Sequence, residues 1–385
     1  MTAPTETIRY GGVSPVPYRP AARGVKAARE IGGPVAAAAA FPNFGYNGGP
    51  VVPCAKLFSS FWGDAWLNDP DHIGRAGLLN QFLKDIVASE YMNVLSQYGA
   101  GFGAGSGLFV QASFVHNISG NITDAAIRST IQSCIDAGAI PEPGDPSNTC
   151  LVIYLAEGIG VGKPGDDIVI CEATSDTAFG YHNFFTTTAG HQCYYAVIPA
   201  VDDACLTESC SSDAGCSLHL SETQEQRQTQ VTSHEFAEMV TDPELNAWFD
   251  TSTGAENGDI CNGQADTITV GPNTWTVQRT YSKTDDVSTS GATICRATAP
   301  QPIPALTPGP SGLAVATARG AMRAGSFERL LPLPTVTFDA QAKSVTMDEE
   351  SVRRYADQLF APLHRQQLTP NLSELLCRVA NALRK

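Results

Sequence analysis

Basic residues are scarce in this chain. Its 385 residues include 24 Lys and Arg against 39 Asp and Glu, for a net charge of −15. That balance excludes nucleic acid and anionic membranes as partners. Long apolar runs are also missing. The nearest, Pro34 to Phe41, is short and Ala-rich, so no membrane span is expected. Gly99 to Gly107 is Gly-rich but lacks the Lys-Ser/Thr ending of a phosphate site, and reads as a flexible loop. Met1 to Pro20 has no basic start followed by an apolar core, so it does not read as a signal peptide. With 43% hydrophobic and 16% charged residues the composition is globular, and 35 Gly with 25 Pro predict many turns.

The sharpest deficit is local. Between Arg227 and Arg279 there is no Lys or Arg, yet Glu235, Glu238, Asp242, Glu244, Asp250, Glu256, Asp259 and Asp266 all fall there. Eight carboxylates without a basic partner repel one another unless water solvates them or a cation sits among them. The run contains Ser233-His234-Glu235-Phe236-Ala237-Glu238. If residues 222–241 are helical, His234 and Glu238 share a face and can converge on one ion, while Glu235 points about a quarter turn away. This is a variant of the His-Glu-x-x-His zinc helix, whose Glu polarises a metal-bound water. Glu238 in place of the second His makes the site harder and more anionic. Pro243 ends the helix near Thr241 or Asp242, which leaves Glu238 and Asp242 at its partially negative end, where a bound cation offsets the penalty.

A third ligand is expected downstream. Glu256 lies 22 residues after His234, and Asp259 three further on; either closes the site, with the other orienting a ligand. Glu244 is a rival at a shorter spacing, but Thr241 stands where the related pattern needs Gly, so Glu256 is preferred. Glu238, Asp242, Glu256 and Asp259 would also suit Ca2+, which His234 argues against. His182, in Gly180-Tyr181-His182-Asn183, is read in a turn between strands. It is a candidate additional ligand or proton donor, with Tyr181 polarising a substrate carbonyl. His191 and His219 read as structural or surface residues.

Eleven cysteines point to an oxidising compartment and an extracellular or secreted protein. Cys193, Cys205, Cys210 and Cys216 cluster in a polar stretch without Cys-x-x-Cys spacing and read as a disulfide-stapled loop. Cys261 and Cys295 form a further expected bridge, and Cys377 is the expected free thiol. Residues 1–48 read as a loosely ordered arm, 49–297 as the metal-binding domain, 298–312 as a Pro-rich linker and 313–385 as a small helical appendage. Strands are expected at Pro50–Trp62, Leu108–Val115, Cys150–Leu155, Asp167–Cys171 and Cys193–Pro199. Helices are expected at Asp71–Tyr98 and, capped by Thr123, at Thr123–Ala137. Ser221-Glu222-Thr223-Gln224 reads as the capping box of the metal helix. The expected fold class is α+β: a zincin-like mixed β-sheet packed with helices.

Several segments together resemble the phosphate-induced protein 1, or Exordium-like, family. They are Phe61-Trp62-Gly63, Tyr98-Gly99, Gly180-Tyr181-His182, Tyr195 to Pro199, Ser233-His234-Glu235 with Glu238 and Thr241-Asp242-Pro243, Ala247-Trp248, and Gly258-Asp259 with Cys261. The likeness covers roughly residues 45–296 and implies a secreted protein with a zincin-like helix. The cysteine-rich loop, the absent leader and the C-terminal helices depart from the plant pattern. The expected function is a zinc metallopeptidase acting on a peptide or protein, with zinc on His234, Glu238 and Glu256, Glu235 as general base and Asp259 orienting a ligand. The alternative is a non-enzymatic extracellular protein that binds a wall polymer and holds a structural metal.

Overall fold

The computed structural model describes residues 41–306, apart from 102, 145–146, 163–167, 172–177, 210–217, 219–220 and 289–293, together with 336–339 and 344–347. The expected helices beyond residue 348, and Cys210, Cys216, His219 and Cys377, lie outside these.

The strands are β1 (Phe44–Tyr46), β2 (Lys56–Trp62), β3 (Leu108–His116), β4 (Thr149–Leu155), β5 (Tyr181–Thr186), β6 (Gln192–Ile198), β7 (Trp248–Asp250), β8 (Ala265–Val270), β9 (Asn273–Gln278), β10 (Thr280–Tyr281), β11 (Cys295–Arg296), β12 (Val336–Asp339) and β13 (Ser344–Met347). Seven of them form one mixed sheet in the order β13-β12-β3-β2-β4-β6-β5. The run from β12 to β6 is parallel, and both edge strands are antiparallel to their neighbours. β4 is buried along its whole length, and β2 and β6 after their first residue, as expected of near-continuous apolar strands covered on both faces. The fold is thus mixed α+β.

Helices Pro70–Ala88 and Gln224–Thr241 pack against each other, the first also on β2 and β3, the second also on β4, β5, β6 and β9. The second is buried from Arg227 to Thr241, so it is a core element rather than a surface amphipath. Its capping box lies two residues beyond the expected one. Thr223 accepts from Gln226 N, and the Gln226 side chain accepts from Thr223 N. Both registers satisfy the i, i+3 pattern, and the helix uses the later.

Other expectations shift. The helix expected over Asp71–Tyr98 breaks at Ser89, whose hydroxyl donates to Ile86 O and accepts from Tyr91 N, a local alternative to the helical ladder; a short helix Tyr91–Leu95 follows. Residues 181–183 belong to strand β5 rather than a turn. Around Asp167–Cys171, Ile170 makes isolated bridges to Val161 and Ala178 in place of a strand. Part of the N-terminal arm belongs to the body: β1 pairs with β7, and Phe44 is buried. The start of the linker lies along Tyr91–Leu95 and the turn after it, with Ala299, Ile303 and Leu306 N–H groups donating to Glu90, Asn93 and Gln97 carbonyls. The segment expected as a helical appendage contributes β12 and β13 to the sheet.

Cys261 and Cys295 are bridged, and Cys171 bonds Cys205. Cys193, expected in the stapled loop, is a free thiol buried on β6, where its apolar strand neighbours carry it inside. No helix among the described residues is long and apolar enough to cross a membrane.

Candidate metal centre

The site forms where three pieces of chain meet: the last turns of Gln224–Thr241, edge strand β5, and the loop that follows β7. His234, Glu235 and Glu238 come from the helix, His182 from β5, and Glu256 and Asp259 from the loop. All six are buried.

On the helix, His234 and Glu238 stand one turn apart as the spacing predicts, with Nε2 3.2 Å from Glu238 Oε1. Asp259 Oδ1 lies 3.7 Å from the same nitrogen. His182 Nδ1 is 3.6 Å from both Glu235 Oε2 and Glu238 Oε2, and its Nε2 is 3.7 Å from Glu256 Oε1. Two sets of three potential ligands result: His234, Glu238 and Asp259, and His182, Glu238 and Glu256. In each, one atom per residue lies within 4.8 Å of the others.

These sets revise the expected ligand assignment. Asp259, not Glu256, completes the set on His234; Glu256 belongs with His182. The two acids sit three apart, Glu256 just before the short 3-10 turn Asp259–Cys261 and Asp259 at its first position, and they face different imidazoles. Glu244 joins neither set and instead accepts from the Tyr194 hydroxyl at 3.2 Å. Asp242 also stays out, since its carboxylate caps the chain at Asn246 and Ala247 N. Tyr181, expected to polarise a carbonyl, donates its hydroxyl to Asp124 at 2.9 Å. Successive residues of a strand face opposite sides, so β5 can aim His182 or Tyr181 at the helix but not both.

The backbone holds these groups in place. Asp259 N donates to Glu238 Oε1 and Glu256 N to Asp259 Oδ2, which engages one oxygen of each acid. Asp259 Oδ1 and Glu256 Oε1 remain buried with no hydrogen-bond partner. Leaving such a group unsatisfied costs about 1–3 kcal/mol, and more when it is charged. Two glycines allow the close approach. A Cβ on Gly258 would stand 2.8 Å from Glu238 Oε1 and 3.1 Å from His234 Nδ1, and one on Gly180 would stand 2.6 Å from Val231 Cγ1. The Cys261–Cys295 bridge anchors the end of the same loop.

Gln278, which no motif announces, is the missed participant. The Ser233 hydroxyl accepts from Gln278 N and so docks the end of β9 beside the helix. The Gln278 amide then lies 2.7 Å from His234 Nδ1 and 2.9 Å from Gly258 O. Tyr91 ties the same pair together, its hydroxyl reaching Ser233 O and Gln278 O.

Charge is unbalanced throughout. Among the described residues the ion-pair partners of Glu235, Glu238, Glu256 and Asp259 are the two imidazoles alone. Burial, then the Glu238 charge, pushes Glu256 and Asp259 well above the usual carboxylate range. Burial works against the charge of His234, yet Glu238 beside it drives the imidazole up to about 10. Glu238 is disfavoured by burial but held down to about 2 by His234 and His182. The metal-free cluster thus carries protons where a cation would sit.

No family model, curated protein or solved structure matches the chain. What the site does follows from its own donors. Imidazole with carboxylates, two of them presenting oxygens without a hydrogen bond, is a set that could hold a metal ion.

Proposed function

We propose that the protein is a zincin-like, zinc-dependent hydrolase that cleaves peptides, with His234, Glu238 and Asp259 holding the metal. The observation that carries this reading is the buried Asp259 oxygen that accepts no hydrogen bond, facing an imidazole and a carboxylate that stand one helical turn apart. Zinc in such a set supplies a Lewis acid that polarises a carbonyl and lowers the pKa of water to about 7. Glu235 is the general base. It stands next to His234 on the helix, and these two side chains are the most solvent-exposed of the six, at 7% and 9%, so what exposure the site has lies on their side. His182, at 3.6 Å, orients the Glu235 carboxylate. A peptide is the fitting substrate because β5 ends the sheet, and an extended chain adds to an edge strand through its backbone.

The likeness to the Exordium-like family is part of the same proposal, as is an extracellular location, with which the Cys171–Cys205 and Cys261–Cys295 bridges are compatible. Several segments that carry the likeness converge here. Gly180 and His182 face the helix, Gly258 and Asp259 close the site, and Trp248 packs on Tyr98 below it.

A second reading has its own support: Glu238, Glu256 and Asp259 are almost fully enclosed, as in a structural metal site of a protein that binds a wall polymer. A zinc-loaded sample screened against a peptide library separates the two. Cleavage that Glu235→Gln abolishes while zinc content stays constant supports the hydrolase; zinc binding without cleavage supports the structural role.

A further inference from the structure

Glu238 presents its two oxygens to different partners. Oε1 faces His234 and Oε2 faces His182. The two ligand sets share this residue and no other. Each has its own imidazole, and each has its own acid with a buried oxygen that accepts no hydrogen bond, Asp259 Oδ1 in one and Glu256 Oε1 in the other, each 3.7 Å from its imidazole. The side chains of these two acids are 0% and 3% exposed, so water does not relieve them.

We infer that the centre is dinuclear, with a second divalent cation held by His182, Glu238 and Glu256, and with the Glu238 carboxylate bridging the two ions. The inference rests on the metal reading above and extends it. Charge supports two ions over one. Among the described residues, the four buried carboxylates at the two ligand sets, Glu235, Glu238, Glu256 and Asp259, have only imidazoles as ion-pair partners. One divalent cation leaves two negative charges in a medium where each uncompensated ion costs several kcal/mol; two cations balance all four. Paired ions bridged by a carboxylate clamp both the attacking and the leaving oxygen of a displacement. The second site therefore gives His182 a ligand role that the hydrolase reading alone does not require.

The test is zinc titration of the metal-stripped full chain, followed by native mass spectrometry. Wild type binds two zinc ions. His182→Ala and the isosteric Glu256→Gln each bind one, at the His234 site, and His234→Ala binds one, at the His182 site. Circular dichroism of each variant establishes that it is folded, and Glu256→Gln, which keeps volume, carries the test if His182→Ala is not. Saturation of wild type at a single zinc, unchanged in Glu256→Gln, overturns the second site while leaving the first. No zinc bound by wild type overturns both.

Discussion

Glu238 Oε1 lies 3.2 Å from His234 Nε2, one helical turn away, and accepts a hydrogen bond from the backbone N–H of Asp259. Helix and loop are therefore tied together at the proposed cation site. Breaking either contact separates the ligands.

Glu235 is assigned the base. Glu235→Gln keeps the shape of the side chain and removes its ability to take a proton. Peptide turnover should fall by roughly 100-fold to 10,000-fold, the range for a general base, with zinc content equal to wild type by elemental analysis. Loss of zinc together with activity would instead make Glu235 a ligand.

Gln278 fixes the His234 ring. Its amide nitrogen donates to Gly258 O and lies 2.7 Å from His234 Nδ1, tying the imidazole to the loop. Gln278→Leu removes this tie, and zinc affinity should drop about 10-fold to 100-fold. Competition with a chromophoric chelator measures this; unchanged affinity would show that the contact at 2.7 Å has no orienting role.

The fold was partly legible in advance. The helix end before Pro243, the His234-to-Glu238 face and the Cys261–Cys295 bridge follow from local chemistry: a proline, a spacing of four and two cysteines flanking an acidic loop. The partner strand was not legible. His182 reaches the site because β5 pairs antiparallel with β6 at the sheet edge, a long-range fact with no local sign beyond a Gly-Tyr-His triplet. Glu256 faces His182 and Asp259 faces His234, a distinction between two acids three residues apart that spacing does not resolve. Gln278 is visible only once Ser233 is seen to dock β9.

Gly258 has an ordinary φ of −73°, so its requirement is steric rather than conformational. Gly258→Ala would push a methyl group to within 2.8 Å of Glu238 Oε1. Overpacking of this kind costs typically about 1–3 kcal/mol, which thermal unfolding should register as a lowered Tm together with weaker zinc binding. An unchanged Tm and affinity would mean that the loop moves aside freely.

Stability should depend on pH in opposite ways with and without metal. Glu256 and Asp259 have raised values in the metal-free fold, so the folded state holds protons that the unfolded chain releases. Their stabilising contribution is lost as pH rises above about 4. His234, raised to about 10, acts in the same direction, its contribution being full below its unfolded value of about 6.5 and lost toward 10. The Tm of chelator-treated protein should therefore fall from about pH 5 to about pH 8. Zinc displaces these protons, so added zinc should raise Tm more at the higher pH. A metal-free Tm that rises across this range would contradict the assignment of buried, unpaired acids.

The most direct measurement is the zinc content of purified wild type and of His234→Ala by elemental analysis. The proposed centre predicts bound zinc in wild type and one equivalent less in the variant. Equal zinc in both, or none in either, would contradict a metal centre on His234, Glu238 and Asp259.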